Sequence, residues 1–167
     1  MRSGGKRAAR APRSTGTGRV TDRLRAVLDT NIFVSAFLSR SPSSPTKELL
    51  ERWQAGEFTL LVSDALLDEI AEKLLGRGIE GELVSEFLTL LVELAESIEV
   101  PAESVLPVVL DDPDDDPIVA CAVPGKADYL VTYDVHFESL KGEHSGIKIV
   151  KALPFLWALR GGRPPDP

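Results

Sequence analysis

The chain reads as a single α/β domain with a central, mainly parallel sheet. Two observations carry that reading: short apolar runs of strand length alternate with amphipathic stretches of helix length, and the strand-like runs are apolar throughout rather than alternating. Continuous apolar strands need cover on both faces, and strand–helix alternation supplies it by parallel crossovers. With 167 residues the chain suffices for one core of this size and is short for two.

The elements follow in order. Arg25 to Asp29 is a short apolar run ending in an acid, as a buried strand would. Residues 30–38 and 45–55 have helical patterning, and Pro45 suits the first turn of the second of these. Phe58 to Val62 is a second strand. Ser63 then fits an N-cap for a helix through Leu75, closed by Gly76 and Gly78. Residues 80–96 repeat apolar positions at helical spacing. Residues 98–100 and 105–110 read as short extended pieces broken by Pro101 and Pro107. Asp116-Pro117 opens a helix through Val123, Asp128 to Thr132 is a third buried strand, Ile147 to Val150 the last, and Leu153 to Leu159 a closing helix.

Residues 1–23 are rich in Gly, Ser, Arg and Pro without hydrophobic periodicity and are expected to form a disordered basic tail. The core domain is expected over 24–160, and 161–167 as a frayed end. Residues 1–25 hold eight bases against one acid, so with a formal net charge of −7 the remaining residues carry −14. An acidic body repels phosphate, but a carboxylate cluster holding cations would not. The single cysteine, Cys121, excludes an internal disulfide and a multi-cysteine zinc site. No apolar run reaches membrane-spanning length and no secretory h-region begins the chain, so a reducing cytoplasm is expected, with no membrane partner.

Ligands of open parallel sheets bind at the carboxyl ends of the strands, and the acids fall there. Asp29 ends the first strand and Asp134 lies two residues beyond the third. Asp115 stands at the mouth of the helix beginning near Pro117, and Glu69 lies two turns into the helix after the second strand. Each has an ordinary structural use: Asp29 as a helix cap, Glu69 as a solvated helix residue, Asp115 as part of a solvated acidic loop, Asp134 as a turn residue. Their joint placement favours one crevice. Carboxylates held together repel one another unless a cation intervenes, and all-oxygen ligands suit Mg²⁺ or Mn²⁺.

Four blocks of sequence resemble the PIN domain family: Leu28-Asp29-Thr30-Asn31, Ser63-Asp64-Ala65-Leu66-Leu67-Asp68-Glu69-Ile70, the stretch from Asp112 to Ala122, and the stretch from Ala127 to Asp134. They occur in the family's order over residues 25–155 and look closest to its toxins of toxin–antitoxin pairs. The resemblance implies a Rossmann-like three-layer α/β/α fold and a Mg²⁺- or Mn²⁺-dependent endoribonuclease acting on single-stranded RNA. Its catalytic, metal-holding acids would be Asp29, Glu69, Asp115 and Asp134. Asn31, Ser63 and Thr132 fall at the family's polar supporting positions, with Asp112 and Asp116 flanking the third acid. Asp115 is chosen within that crowded loop by its offset of seven residues before Ala122. Tyr133 departs from the pattern, standing where the family often has glycine. A cognate antitoxin and a homodimer are the implied protein partners.

Two other readings start from the same residues. A haloacid-dehalogenase-like phosphatase wants a second Asp two residues after the first, and Asn31 stands there. A non-catalytic module would use the acids to bind a basic partner. For dimerisation the candidate faces are the Leu- and Val-rich stretch 83–94 and Phe155-Leu156-Trp157, whose ordinary use is core packing.

Overall fold

The computed structural model describes residues 23–100 and 116–161, with Asp116 described in its backbone alone. The tails expected over 1–23 and 161–167 lie outside the described residues save Arg23 and Gly161, as does the extended piece expected over 105–110.

The strands are β1 (Leu24–Leu28), β2 (Phe58–Val62), β3 (Glu96–Ser97), β4 (Tyr129–Val131), β5 (Glu143–His144) and β6 (Ile147–Val150). The helices are α1 (Thr30–Leu38), α2 (Pro45–Gln54), α3 (Asp64–Gly76), α4 (Gly81–Leu94), α5 (Asp116–Ala122) and α6 (Ala152–Leu159), with a 3₁₀ helix at Val135–Leu140. The sheet runs in the order β3-β2-β1-β4-β6-β5. Every pairing is parallel except that of β5 with β6. The sheet therefore grows outward in both directions from β1 and β4, and the order reverses between them. In such sheets the crevice at the carboxyl ends of the two central strands is where ligands bind.

Both faces of the sheet are buried, as the apolar strands require. Ala26 and Leu28 of β1 face one core with Phe58, Leu60 and Val62 of β2, Ile32 and Phe33 of α1, and Phe155 and Leu156 of α6. Val27, Leu61 and Leu130 face the other, against Ile118, Val119, Cys121 and Ala122 of α5. Rings converge on the first core: Phe87 of α4 stands edge-on to Phe37 at a centroid distance of 4.9 Å, and Phe58 meets Phe155 at 5.1 Å. Such pairs add to area burial through favourable quadrupole geometry.

The helix starts follow their capping chemistry. The Ser44 hydroxyl accepts from Lys47 N, with Pro45 in the first turn of α2, and the Ser63 hydroxyl accepts from Leu66 N at α3. Past α3, Gly78 takes φ +85°, open to a residue without a Cβ. Of the two stretches considered for dimerisation, Phe155 and Leu156 are core residues. α4 buries Val84, Phe87 and Leu91 while leaving Leu83, Val92 and Leu94 exposed.

Four features depart from the sequence expectation. The fourth helix ends at Leu94 rather than at residue 96, and the extended segment expected over 98–100 forms its strand two residues earlier, at Glu96–Ser97. The reason is a tertiary ion pair. Arg25, only 4% exposed within β1, sends Nη1 and Nη2 to the two Glu96 carboxylate oxygens at 2.9 and 2.8 Å, which holds Glu96 in the sheet. Arg25, counted among the bases of the N-terminal stretch, thus serves as a buried clasp within the strand expected to begin with it. The 3₁₀ helix and the β5–β6 hairpin were also absent from the sequence reading. The hairpin turns through Ser145 (φ +52°) and Gly146 (φ +81°), two left-handed residues that match the twist of an antiparallel pair.

Candidate active site

β1 delivers Asp29 to the crevice one residue past its end. Asp29 N donates to Val131 O at 2.9 Å, so the residue is still anchored to β4 as the chain turns into α1. The Asp29 side chain caps that helix, Oδ1 accepting from Thr30 N at 2.7 Å. Its other oxygen, Oδ2, accepts from the Thr132 hydroxyl at 2.6 Å and from Asn31 Nδ2 at 3.3 Å. The carboxylate is 2% exposed and fixed from both sides of the β1–β4 seam. It serves as cap and as crevice residue at once.

α3 leans Glu69 over the same point. Glu69 Oε2 accepts from the Thr30 hydroxyl at 3.1 Å, while Thr30 Oγ1 stands 3.5 Å from Asp29 Oδ1. One hydroxyl thus lies between two acids, its proton directed to the nearer. On the outer side, Lys73 Nζ is 3.6 Å from Glu69 Oε2, one helical turn along α3.

β4 supplies the third acid. Thr132, the residue after β4, donates to Asp29 through its hydroxyl and accepts Asp134 N on the same oxygen at 2.9 Å. Asp134 Oδ1 accepts His136 N at 2.9 Å and caps the 3₁₀ helix, with His136 Nδ1 3.0 Å from the same oxygen. Asn31 Oδ1 lies 3.5 Å from Tyr133 N, a loose tie between α1 and the β4 loop.

Asp29, Glu69 and Asp134 therefore come from three separate segments to the switch point, linked through Thr30 and Thr132. The electrostatics agree. Burial pushes the Asp29 carboxyl above its ordinary value, the Thr132 and Thr30 hydrogen bonds oppose that rise, and the Glu69 and Asp134 carboxylates add to it. The rise is chiefly a burial effect, and the two neighbouring carboxylates increase the cost of the Asp29 charge.

The donor chemistry fits a hard divalent ion in kind, with carboxylate, amide and hydroxyl oxygens at the acids and His136 Nδ1 beside Asp134 Oδ1 at 3.0 Å. The described residues do not complete a ligand set, since no three His, Cys, Asp or Glu side chains among them stand close enough to hold a metal together. Asp112 and Asp115, and the side chain of Asp116, lie outside the described residues; the backbone of Asp116 opens α5.

Ser63 is 2% exposed, caps α3 and hydrogen-bonds the Cys121 thiol, which burial pushes up to about 12. Among the described residues its contacts tie α3 to α5 rather than reaching the acids. Two participants were missed in the sequence: Thr30, whose position directly after a strand-end acid was a usable signal, and Lys73, visible as the basic residue four after Glu69.

A mainly parallel sheet with helices on both faces and acids at its switch point defines a three-layer α/β/α domain. Within that class the chain belongs to the PIN domain family, whose model matches residues 25–136. No curated protein matches it significantly. Among solved structures it is similar to VapBC2 from Rickettsia felis bound to a DNA fragment from its promoter, at TM-score 0.52 and 20% identity, covering 75% of this chain and 97% of that one. It is also similar to PAE2754 from Pyrobaculum aerophilum, at TM-score 0.56 and 14% identity, covering 89% and 99%. At these identities the likeness is one of fold. Among the described residues no helix is long and apolar enough to cross a membrane.

Proposed function

We propose that this chain is a Mg²⁺- or Mn²⁺-dependent endoribonuclease that hydrolyses single-stranded RNA, the toxin of a toxin–antitoxin pair working in the cytoplasm. The observation that carries the reading is the buried Asp29 at the switch point, with the Glu69 and Asp134 carboxylates raising the cost of its charge. Membership of the PIN domain family supports nuclease chemistry, and the fold likeness to VapBC2 supports the toxin assignment.

In this mechanism Asp29 and Asp115 would hold the ion, with Glu69 and Asp134 completing its site. When bound, such an ion would supply positive charge against the phosphate and lower the pKa of a water for in-line attack. Thr132 fixes the rotamer of Asp29 and holds the Asp134 backbone beside it, so that the acids are positioned before substrate arrives. Asn31 braces the Asp29 carboxylate from the α1 side. Thr30 spaces Glu69 from Asp29. Cleavage leaves 5′-phosphate and 3′-hydroxyl ends.

A cognate antitoxin is the proposed partner, blocking the acids, and a homodimer through the exposed apolar side of α4 the proposed assembly. The test is digestion of end-labelled single-stranded RNA with Mg²⁺, Mn²⁺ or EDTA, followed by analysis of the termini. Cuts that need the metal and leave 5′-phosphates are expected. Cuts that persist in EDTA, or a folded protein that cuts no RNA with either metal, would overturn the proposal.

A further inference from the structure

The acids do not account for a pocket beside them. At the carboxyl ends of β4 and β6 lies a cavity of about 270 Å³, which shares Thr132 and Asp134 with the candidate site and continues away from it. Its volume is near the lower bound of roughly 300 Å³ for small-molecule sites, room for one nucleotide-sized group.

The wall has two chemical halves. Phe137, Ile149 and Val150 give an apolar surface, and Tyr133, 39% exposed, adds an aromatic ring. Lys141 and Lys151 give the basic half; both are exposed, and neither side chain has a hydrogen-bond or ion-pair partner among the described residues. Outside residues 1–25 the chain carries a net −14, so Lys141 and Lys151, set against Asp134 and Glu138 in the same lining, bring the pocket to local neutrality and offer two cations where a polyanion would pass. Glu138 also lines the pocket and sets the edge of that basic patch.

We propose that this pocket is a nucleotide subsite: an RNA base rests on Tyr133 and the apolar wall, and the phosphodiester next to the scissile one lies between Lys141 and Lys151. An aromatic face takes any base by stacking, and a flexible cationic pair takes a phosphate without reading sequence. The subsite rests on the ribonuclease reading and deepens it. It gives Tyr133, which departs from the glycine of the family pattern, a role in holding substrate beside Asp134.

The test measures binding of a fluorescent single-stranded RNA to Asp29→Asn protein, so that the RNA stays intact, as a function of salt. Lys141→Asn with Lys151→Gln removes both charges; asparagine suits the left-handed backbone at position 141 (φ +54°). This pair is expected to weaken binding about tenfold and to lower the salt slope by about 0.7, the value for one phosphate contact on a single strand. Tyr133→Ala is expected to weaken binding about tenfold or more with the slope unchanged. Glu138→Gln is expected to tighten it. The control is Lys126→Asn, another exposed left-handed lysine but before β4, at the opposite end of the sheet, which should change neither quantity. In the otherwise wild-type enzyme the lysine pair should raise KM and leave kcat within a fewfold. If the lysine variant binds RNA as tightly as its parent, with the same slope and the same KM, the subsite is wrong and the nuclease reading stands. If the parent binds no RNA and the wild type cuts none, both fall.

Discussion

The Arg25 clasp gives the sharpest stability prediction. Arg25 Nε and Nη2 donate to Gly125 O at 3.0 and 2.8 Å, its two terminal nitrogens pair with Glu96, and its backbone N donates to Asp128 Oδ2 at 2.8 Å. One side chain thereby joins β1, β3 and the α5–β4 turn. Arg25→Met keeps the volume and the backbone bond but removes the bidentate partner of Glu96 and both donors to Gly125 O. Breaking a buried pair costs about 3–5 kcal/mol, because the surviving charge is left desolvated. The Glu96 side chain keeps 20% of its surface exposed, so the lower end, about 3 kcal/mol, applies. At about 2–4 °C per kcal/mol for a chain of this size, the melting temperature should fall by about 6–12 °C. Urea unfolding of Arg25→Met, Glu96→Leu and the double variant measures this directly. The double variant should recover a large part of the loss, since an apolar pair can replace a buried ion pair at little cost. A loss below about 1 kcal/mol for Arg25→Met, with an unchanged m-value, would refute the clasp.

Other outcomes follow from the site and the packing around it. Asp29→Asn should stabilise the metal-free protein at pH 7 by about 0.5–2 kcal/mol, the usual gain when a strained functional group is relieved. The sign follows from the raised Asp29 pKa: the folded state holds the proton more tightly, so ionisation destabilises it as pH rises above the ordinary aspartate value of 3.8. The advantage of Asp29→Asn should therefore shrink toward pH 4 in thermal melts with EDTA. Thr132→Val should lower cleavage by about 10–100-fold, the usual cost of losing a partner that orients a ligand, while Thr132→Ser keeps most of it. Gly125→Ala should destabilise by about 1–3 kcal/mol on denaturant titration, because the added Cβ would stand 2.9 Å from both Cys121 O and Leu61 Cδ1. Ser63→Ala should cost about 1 kcal/mol through the lost α3 cap.

Much of the fold was legible because local and global signals coincide in it. β1, β2, β4 and β6 were readable as apolar runs, and α1, α2, α3 and α6 from periodicity, the first-turn Pro45 and the Ser63 cap. What escaped was decided at long range. β3 is two residues long and exists because Glu96 answers Arg25 across 71 positions, which no window along the chain reveals. The Ser145–Gly146 turn pairs β5 only because β6 already lies in the sheet. At the site, strand-end position put Asp29 and Asp134 among the candidates and helix position added Glu69. Thr30 was passed over because its hydroxyl matters only once Glu69 is beside it. The positions expected to supply the remaining acid, Asp112 and Asp115 with the side chain of Asp116, lie outside the described residues, and the described acids do not form a metal ligand set without them.

The most direct test of the central claim is the single-turnover rate of RNA cleavage in Mg²⁺ or Mn²⁺ for the wild type, Asp29→Asn, Glu69→Gln, Asp134→Asn and Asp115→Asn, with folding of each verified by thermal melt. The account predicts that each substitution lowers the rate by about a hundredfold or more, the scale for removing one pre-organised charged group from an active site. Wild-type rates in folded Asp29→Asn and Asp134→Asn proteins would contradict it.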